Sequence, residues 1–367
     1  MDWLVFGDDF GVHPSTTQHL IRHLPSEDRV LWVHSVGMRK PRLKDAFSLL
    51  KRWKHTRART SQSHEGPHIT TLRLAVLPWH EQRALKFLNA IAAEKQLTAK
   101  LAELDFKDVH LLSATPIAGS VTSKLQFRTK SYLRLDHYSE LPGVDGDMLS
   151  RVEPRFIDEV SLVVHPAACL APSGLDRAKA LHLPQGVDVN HFAKTRLQKE
   201  PTKVLGFFGL IASWLDHDLI AEVAMRNPDW TFEFRGALAK NAEKLPMLPN
   251  IRVLPAIPYS DLPDVITHWQ AAWIPFEQST LTLAVDPLKA REYLAAGLPV
   301  ATTPLPALQE IAEIHLIPNA SCVSAWLKEI AEEGAATGSL QRRNSVTSHD
   351  WSKRSEVLRT AVSSLRH

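Results

Sequence analysis

The chain has 367 residues, long for a single hydrophobic core, and with 44% hydrophobic and 23% charged residues it has the composition of a folded globular protein. Forty-three Lys and Arg against 40 Asp and Glu are too small an excess to imply nucleic acid as a partner. Two cysteines, Cys169 and Cys322, exclude a disulfide framework and a thiolate metal site; MDWLVFGDDFG places acids where a signal peptide needs a basic region, and no stretch approaches a membrane span, so a cytoplasmic protein is expected.

Along the chain, apolar strand-like runs alternate with helical patterns, which predicts parallel sheets built from βα units. The first half offers strands at 3–6, 29–36, 72–78, 109–114, 130–136 and 161–166, and helices at 15–24, 80–104 and 149–159. Ser15 and Gln18 suit a capping box at the first helix. Between 37 and 60, nine Lys and Arg face the single acid Asp45, while Leu43, Ala46, Phe47, Leu50 and Trp53 recur at helical spacing. This basic amphipathic segment reads either as a docking surface for the anionic inner leaflet or as a core-facing helix with a solvated back. Residues 171–188 look like a crossing between halves, and further strands are expected at 204–209, 231–236, 251–256, 271–276 and 299–303.

The stretch DPLKAREYLAAGLPVATT, 286–303, has its own punctuation: Asp286 to cap a helix, Pro287 at its first position, Gly297 to stop it and a short strand after Pro299. Lys289 and Glu292 share a face near the positive end of that helix, a spacing that by itself describes a solvated ion pair. A last helix over 349–367 is expected to pack back onto the first half. The fold class is α/β, with two doubly wound Rossmann-like domains, 1–182 and 183–348, facing a cleft beyond the strand C-termini.

Six stretches, taken in order, carry a resemblance: DFGVHPSTTQHL (9–20), LDHYSELPGVD (135–145), LPQGVDVNHF (183–192), FFGLIASWLDHDLI (207–220), LPNIRVLPAIPYSDLP (248–263) and 286–303. Together they resemble bacterial GT-B glycosyltransferases that build exopolysaccharides, capsules and teichuronic-type polymers. The resemblance implies transfer of a sugar from a nucleoside-diphosphate donor, UDP first, to a lipid-linked or oligosaccharide acceptor at the inner face of the cell membrane. It implies no metal or other cofactor. It makes Glu292 the group that grips the ribose hydroxyls and Lys289 the cation facing the diphosphate.

Gly209, after a strand, admits a phosphate close to the backbone, and Arg235-Gly236 ends the next strand where a guanidinium can clamp phosphate. Many retaining relatives carry a second glutamate eight positions before Glu292; here that position is Ala284, which leaves donor-sugar contacts and the stereochemical course open. The segment STLTLAVD offers Ser279, Thr280 and Thr282 to phosphates instead. On the acceptor side, Gly11, His13 and Gln18 border the first strand-to-helix loop. Asp136, then His137, then His13 are the candidates for a base that takes the acceptor proton, with a turn cap as the other reading of Asp136. Asp145-Gly-Asp147 lies in a turn, and His19 with His23 lacks a third ligand, so neither reads as a metal site. No Gly-x-Gly-x-x-Gly follows a strand, which argues against an oxidoreductase. A sugar-nucleotide epimerase on the same fold and a catalytically silent nucleotide-sugar-binding protein are the rival readings.

Overall fold

Alternating strands and helices build two sheets, one in each half of the chain. The computed structural model describes residues 1–11, 14–38, 59–61, 66–76, 83–141, 143–239 and 245–365. His13 and residues 39–58 of the basic segment lie outside the described residues. One compact unit comprises Met1–Leu183 with Arg354–His367, and the other Pro184–Lys353.

The first unit runs β1 (Asp2–Phe6), α1 (Thr16–Arg22), β2 (Arg29–Val33), β3 (Arg59–Ser61), β4 (His68–Leu72), α2 (Arg83–Glu103), β5 (His110–Ser113), α3 (Ile117–Val121), β6 (Thr129–Leu133), α4 (Gly146–Glu159), β7 (Leu162–His165) and β8 (Ala180–His182). Its sheet has the order β3-β4-β2-β1-β5-β6-β7-β8, parallel except where β3 runs against β4. The second unit runs α5 (Val189–Phe192), β9 (Val204–Phe208), α6 (His217–Arg226), β10 (Thr231–Arg235), β11 (Ile251–Leu254), α7 (Leu262–Val265), β12 (Ala271–Ile274), α8 (Thr280–Leu283), α9 (Leu288–Ala296), β13 (Val300–Thr302), β14 (Ile314–Leu316), α10 (Ala320–Glu329) and α11 (Ser339–Ser345). Its order, β11-β10-β9-β12-β13-β14, is that of a doubly wound sheet. Helix α12 (Trp351–Ser364) begins in the second unit and ends in the first.

Both sheets are covered on both faces, so their central strands are continuous apolar runs: every residue of β1 is buried. Leu4, Phe6, Leu31, Leu111, Tyr132 and Phe156 centre one core, and Phe207, Phe232, Trp269, Trp273, Tyr293 and Trp326 the other. The strand expected at 72–78 is instead β4, which ends at Leu72. Its parallel partner β2 stops at Val33, opposite Leu72, so residues beyond have no ladder to join. Strands β8 and β14 have no counterpart in the sequence reading; each is three residues long, incompletely buried, and at a sheet edge. Asp145 caps α4 by accepting the Met148 N–H at 3.2 Å, which gives the Asp-Gly-Asp turn a structural task. In the first unit Arg359 of α12 holds the fully buried Asp28 carboxylate through Nε and Nη2, both at 3.0 Å, and Ser355 Oγ donates to the Leu20 carbonyl at 2.8 Å.

Candidate functional site

In the second sheet, β9 and β12 are neighbours in space whose connections diverge, and ligands of such sheets bind at the C-terminal ends of this pair. Gly209 follows β9 with φ +135°, outside the range of most side-chain-bearing residues. Its N–H donates to the Arg235 carbonyl at 2.9 Å, carrying the β9–β10 ladder one step further. A Cβ on Gly236 would stand 1.7 Å from the Gly209 carbonyl oxygen, so this close approach requires glycine at 236.

Lys289, in the first turn of α9, reaches back over this point: its Cε is 3.0 Å from where a Cβ on Gly209 would be. The ammonium lies 5.3 Å from the ring centroids of both Phe207 and Phe276, a cation–π arrangement on two sides. Burial pulls its pKa below the ordinary lysine value, with Glu292 opposing. One turn on, Glu292 is buried. Burial holds its carboxyl up to about 7, with the nearby Lys289 ammonium opposing. These are half-buried and buried groups at the C-terminal ends of the central strands rather than a solvated pair.

Helix α9 is pinned at both ends. The Tyr293 hydroxyl accepts the Phe208 N–H at 2.9 Å, tying the helix to the end of β9. Asp286 does not cap it: Pro287 is the N-cap, with no side-chain hydrogen bond. The buried Asp286 carboxylate instead binds the Arg291 guanidinium and accepts the Gln185 N–H at 2.9 Å, while Arg291 Nε donates to His349 Nδ1 at 3.2 Å. Gly297 ends the helix in the left-handed conformation, as the sequence predicts.

Other donor candidates are placed differently from expectation. Thr282 is buried; its hydroxyl donates to the Glu277 carbonyl and accepts the Ser279 N–H at 2.9 Å, so a capping box rather than a phosphate occupies it. Thr280 is exposed at the first position of α8. Arg235 is mostly buried, with Nη2 3.2 Å from Glu233, so its guanidinium is drawn back along β10. Glu233 also accepts from His268 Nε2 at 3.0 Å and Trp269 Nε1 at 3.1 Å. Burial alone would raise its pKa, but the His268 and Trp269 hydrogen bonds hold it low. A cavity of about 760 Å³ opens between the N-termini of α6 and α10, walled by Ser213, Asp216, Glu277 and Asn319 among others. None of the expected donor residues lines it, and its N-cap side chains are committed to helix N–H groups.

In the first unit, Gly11 is exposed and its N–H donates to Gln18 Oε1 at 3.1 Å. Gln18 is fully buried, with Nε2 donating to Asp8 at 2.9 Å, so it organises the loop instead of facing an acceptor. Asp136, half-buried beyond β6, accepts the His137 N–H at 3.2 Å; burial raises its carboxyl to about 6. His137 beside it is also half-buried. Sequence reading missed a cluster at the C-terminal ends of β1, β2 and β4: Asp9 Oδ1 lies 3.1 Å from Arg73 Nη2 and 3.3 Å from His34 Nδ1. Burial, with Arg73, keeps the His34 imidazole below its ordinary range. The paired acids of FGDDFG directly after a strand were the available signal. Among the described residues, no three His, Cys, Asp or Glu side chains gather as a metal site requires, and no helix is long and apolar enough to cross a membrane.

The fold these two units define is GT-B. The solved structure of a sucrose-phosphate synthase from Thermosynechococcus elongatus matches 98% of this chain and 97% of its own, with TM-score 0.65 and 12% identity. The Anabaena protein HepE, solved in complex with UDP and glucose, matches 99% of both chains with TM-score 0.61 and 16% identity. In sequence, the chain is 32% identical over 193 residues to TuaH of Bacillus subtilis strain 168, whose name assigns it, provisionally, as a teichuronic acid biosynthesis glycosyltransferase. That match spans about half of each protein, 48% of this chain and 48% of TuaH. No family model matches the chain.

Proposed function

We propose that the protein transfers a sugar from a nucleoside diphosphate, UDP first, to a lipid-linked or oligosaccharide acceptor in the synthesis of a cell-surface polysaccharide. The observation that carries this reading is the placement of Lys289 and Glu292 on one anchored helix, with the lysine over Gly209 at the divergence of β9 and β12. A departing nucleoside diphosphate gathers negative charge, which an ammonium, the first N–H groups of α9 and an unobstructed glycine backbone stabilise. No divalent cation is needed for that task. Glu292, once ionised, accepts hydrogen bonds from the two ribose hydroxyls. Asp136, with a carboxyl raised to about 6, is suited to take a proton from an acceptor hydroxyl near neutral pH, and His137 is next in line.

The names of the relatives support the reading: TuaH is called a glycosyltransferase of teichuronic acid biosynthesis, and HepE was solved with UDP and glucose. A lipid-linked acceptor also gives the basic segment at 37–60 a purpose, as a peripheral contact with the inner face of the membrane. A thermal-shift panel of UDP, GDP, ADP and CMP tests the donor assignment. A nucleotide at a hundred times its dissociation constant adds about 2.7 kcal/mol of stability, and a panel without any shift would sink the reading.

A further inference from the structure

The two strands that diverge at the candidate donor site each bring a phenylalanine ring to Lys289. Phe207 is on β9 and Phe276 lies just beyond the end of β12; both are buried. Each ring centroid stands 5.3 Å from the ammonium, within the distance at which a ring face attracts a cation. Both rings are fixed from behind. Phe207 packs on Phe234 of β10 with centroids 5.8 Å apart. The backbone around Phe276 is tied on both flanks: the Asp216 N–H donates to the Pro275 carbonyl at 2.9 Å, and the Glu277 N–H to the Trp214 carbonyl at 2.8 Å. The Thr303 hydroxyl donates to the Phe276 carbonyl at 2.8 Å. Among the described residues no carboxylate lies within ion-pair distance of the Lys289 ammonium, Glu292 included.

We propose that Phe276 is a positioning residue for diphosphate recognition: together with Phe207 it cradles the Lys289 ammonium and keeps it over Gly209, where the anion arrives. The proposal rests on the donor-site reading above. A carboxylate in the same place would hold the lysine as firmly but would cancel its charge. A ring face carries no net charge, so the ammonium keeps its full unit charge and its three N–H donors for an incoming anion. A lysine stem also loses rotamer freedom when it is fixed, and here that loss is incurred on folding instead of on binding. Phe276 is the ring to probe, because Phe207 belongs to a central strand and also supports Phe234.

Titration calorimetry of the full chain with UDP and with uridine tests this in wild type, in Phe276→Leu, and in protein with pentafluorophenylalanine in place of Phe276, which keeps the ring's shape and reverses the sign of its face. Both replacements should weaken UDP binding about fivefold and leave uridine binding unchanged, which also shows that the variants are folded. On a Lys289→Ala background the same replacements should make no further difference to UDP, since the ring then has no cation to hold. Unchanged or tighter UDP binding with the fluorinated ring, or equal losses for UDP and uridine, overturn the positioning role, while a selective loss of UDP in Lys289→Ala still upholds the donor site. If Lys289→Ala binds both ligands as the wild type does, the donor reading fails and this proposal with it.

Discussion

Glu292 is a carboxyl group that the fold keeps from ionising until the pH is near neutral, and the sign of that effect is testable. Its folded pKa, about 7, is above the ordinary value because of burial, so below that pH the folded protein holds a proton the unfolded chain has released. Its contribution to stability is therefore lost as pH rises from the usual carboxyl range through 7. Glu292→Gln, neutral at every pH, should flatten this slope; urea midpoints at pH 5 and pH 8 that shift alike in both proteins would contradict it. Nucleotide binding should behave oppositely and strengthen as the carboxyl ionises. Lys289→Ala should cost about 1.5–3 kcal/mol in affinity for a nucleoside diphosphate and much less for the free nucleoside, read by calorimetry. Asp136→Asn should lower turnover without a comparable loss of donor affinity; normal turnover would leave Asp136 as a holder of the turn at 137. The helix that carries Lys289 and Glu292 was legible from its local start and stop signals, but their spacing alone describes a solvated pair, and only the family resemblance marked them as donor-site candidates. His34 and Arg73 were not legible, because only strand order brings them to Asp9.

Two element-level contacts decide whether that helix and the loop beneath it keep their places. Gly236→Ala drives a methyl into the Gly209 carbonyl, and the ends of β9 and β10 must part. Overpacking of this kind costs about 1–3 kcal/mol and should weaken UDP binding through the displaced loop, although neither glycine has a side chain to offer. Arg291→Met leaves the Asp286 carboxylate buried without its guanidinium. Breaking a buried pair on one side costs about 3–5 kcal/mol, visible as a lower denaturation midpoint of the second unit. Alternation and punctuation foretold most strands and the long helices, since those signals are local and strong. Edge strands β8 and β14 escaped because short, incompletely buried strands need no apolar run. The residue type and position of Asp286 fit a helix cap. A buried arginine one turn along the helix took the carboxylate instead, a competition that spacing cannot decide.

At the scale of the whole molecule, a two-sheet α/β organisation was evident from the sequence, whereas the surface through which the protein meets its surroundings was not. If the basic segment docks on lipid, binding to anionic vesicles should be present at low salt and fall steeply as the Debye length shrinks from about 30 Å at 0.01 M to about 10 Å at 0.1 M. Changing Lys51, Arg52 and Lys54 to glutamate should abolish it and leave UDP binding untouched. Indifference of the wild type to such vesicles would favour a soluble acceptor. The pairing of Asp28 with Arg359 also bears on how the chain comes into being. The two residues are 331 positions apart, and a ribosome adding about 5–20 residues per second separates their synthesis by tens of seconds. Throughout that interval the second unit, contiguous in sequence, can emerge and fold, while the first waits with a carboxylate whose bidentate partner has yet to be translated.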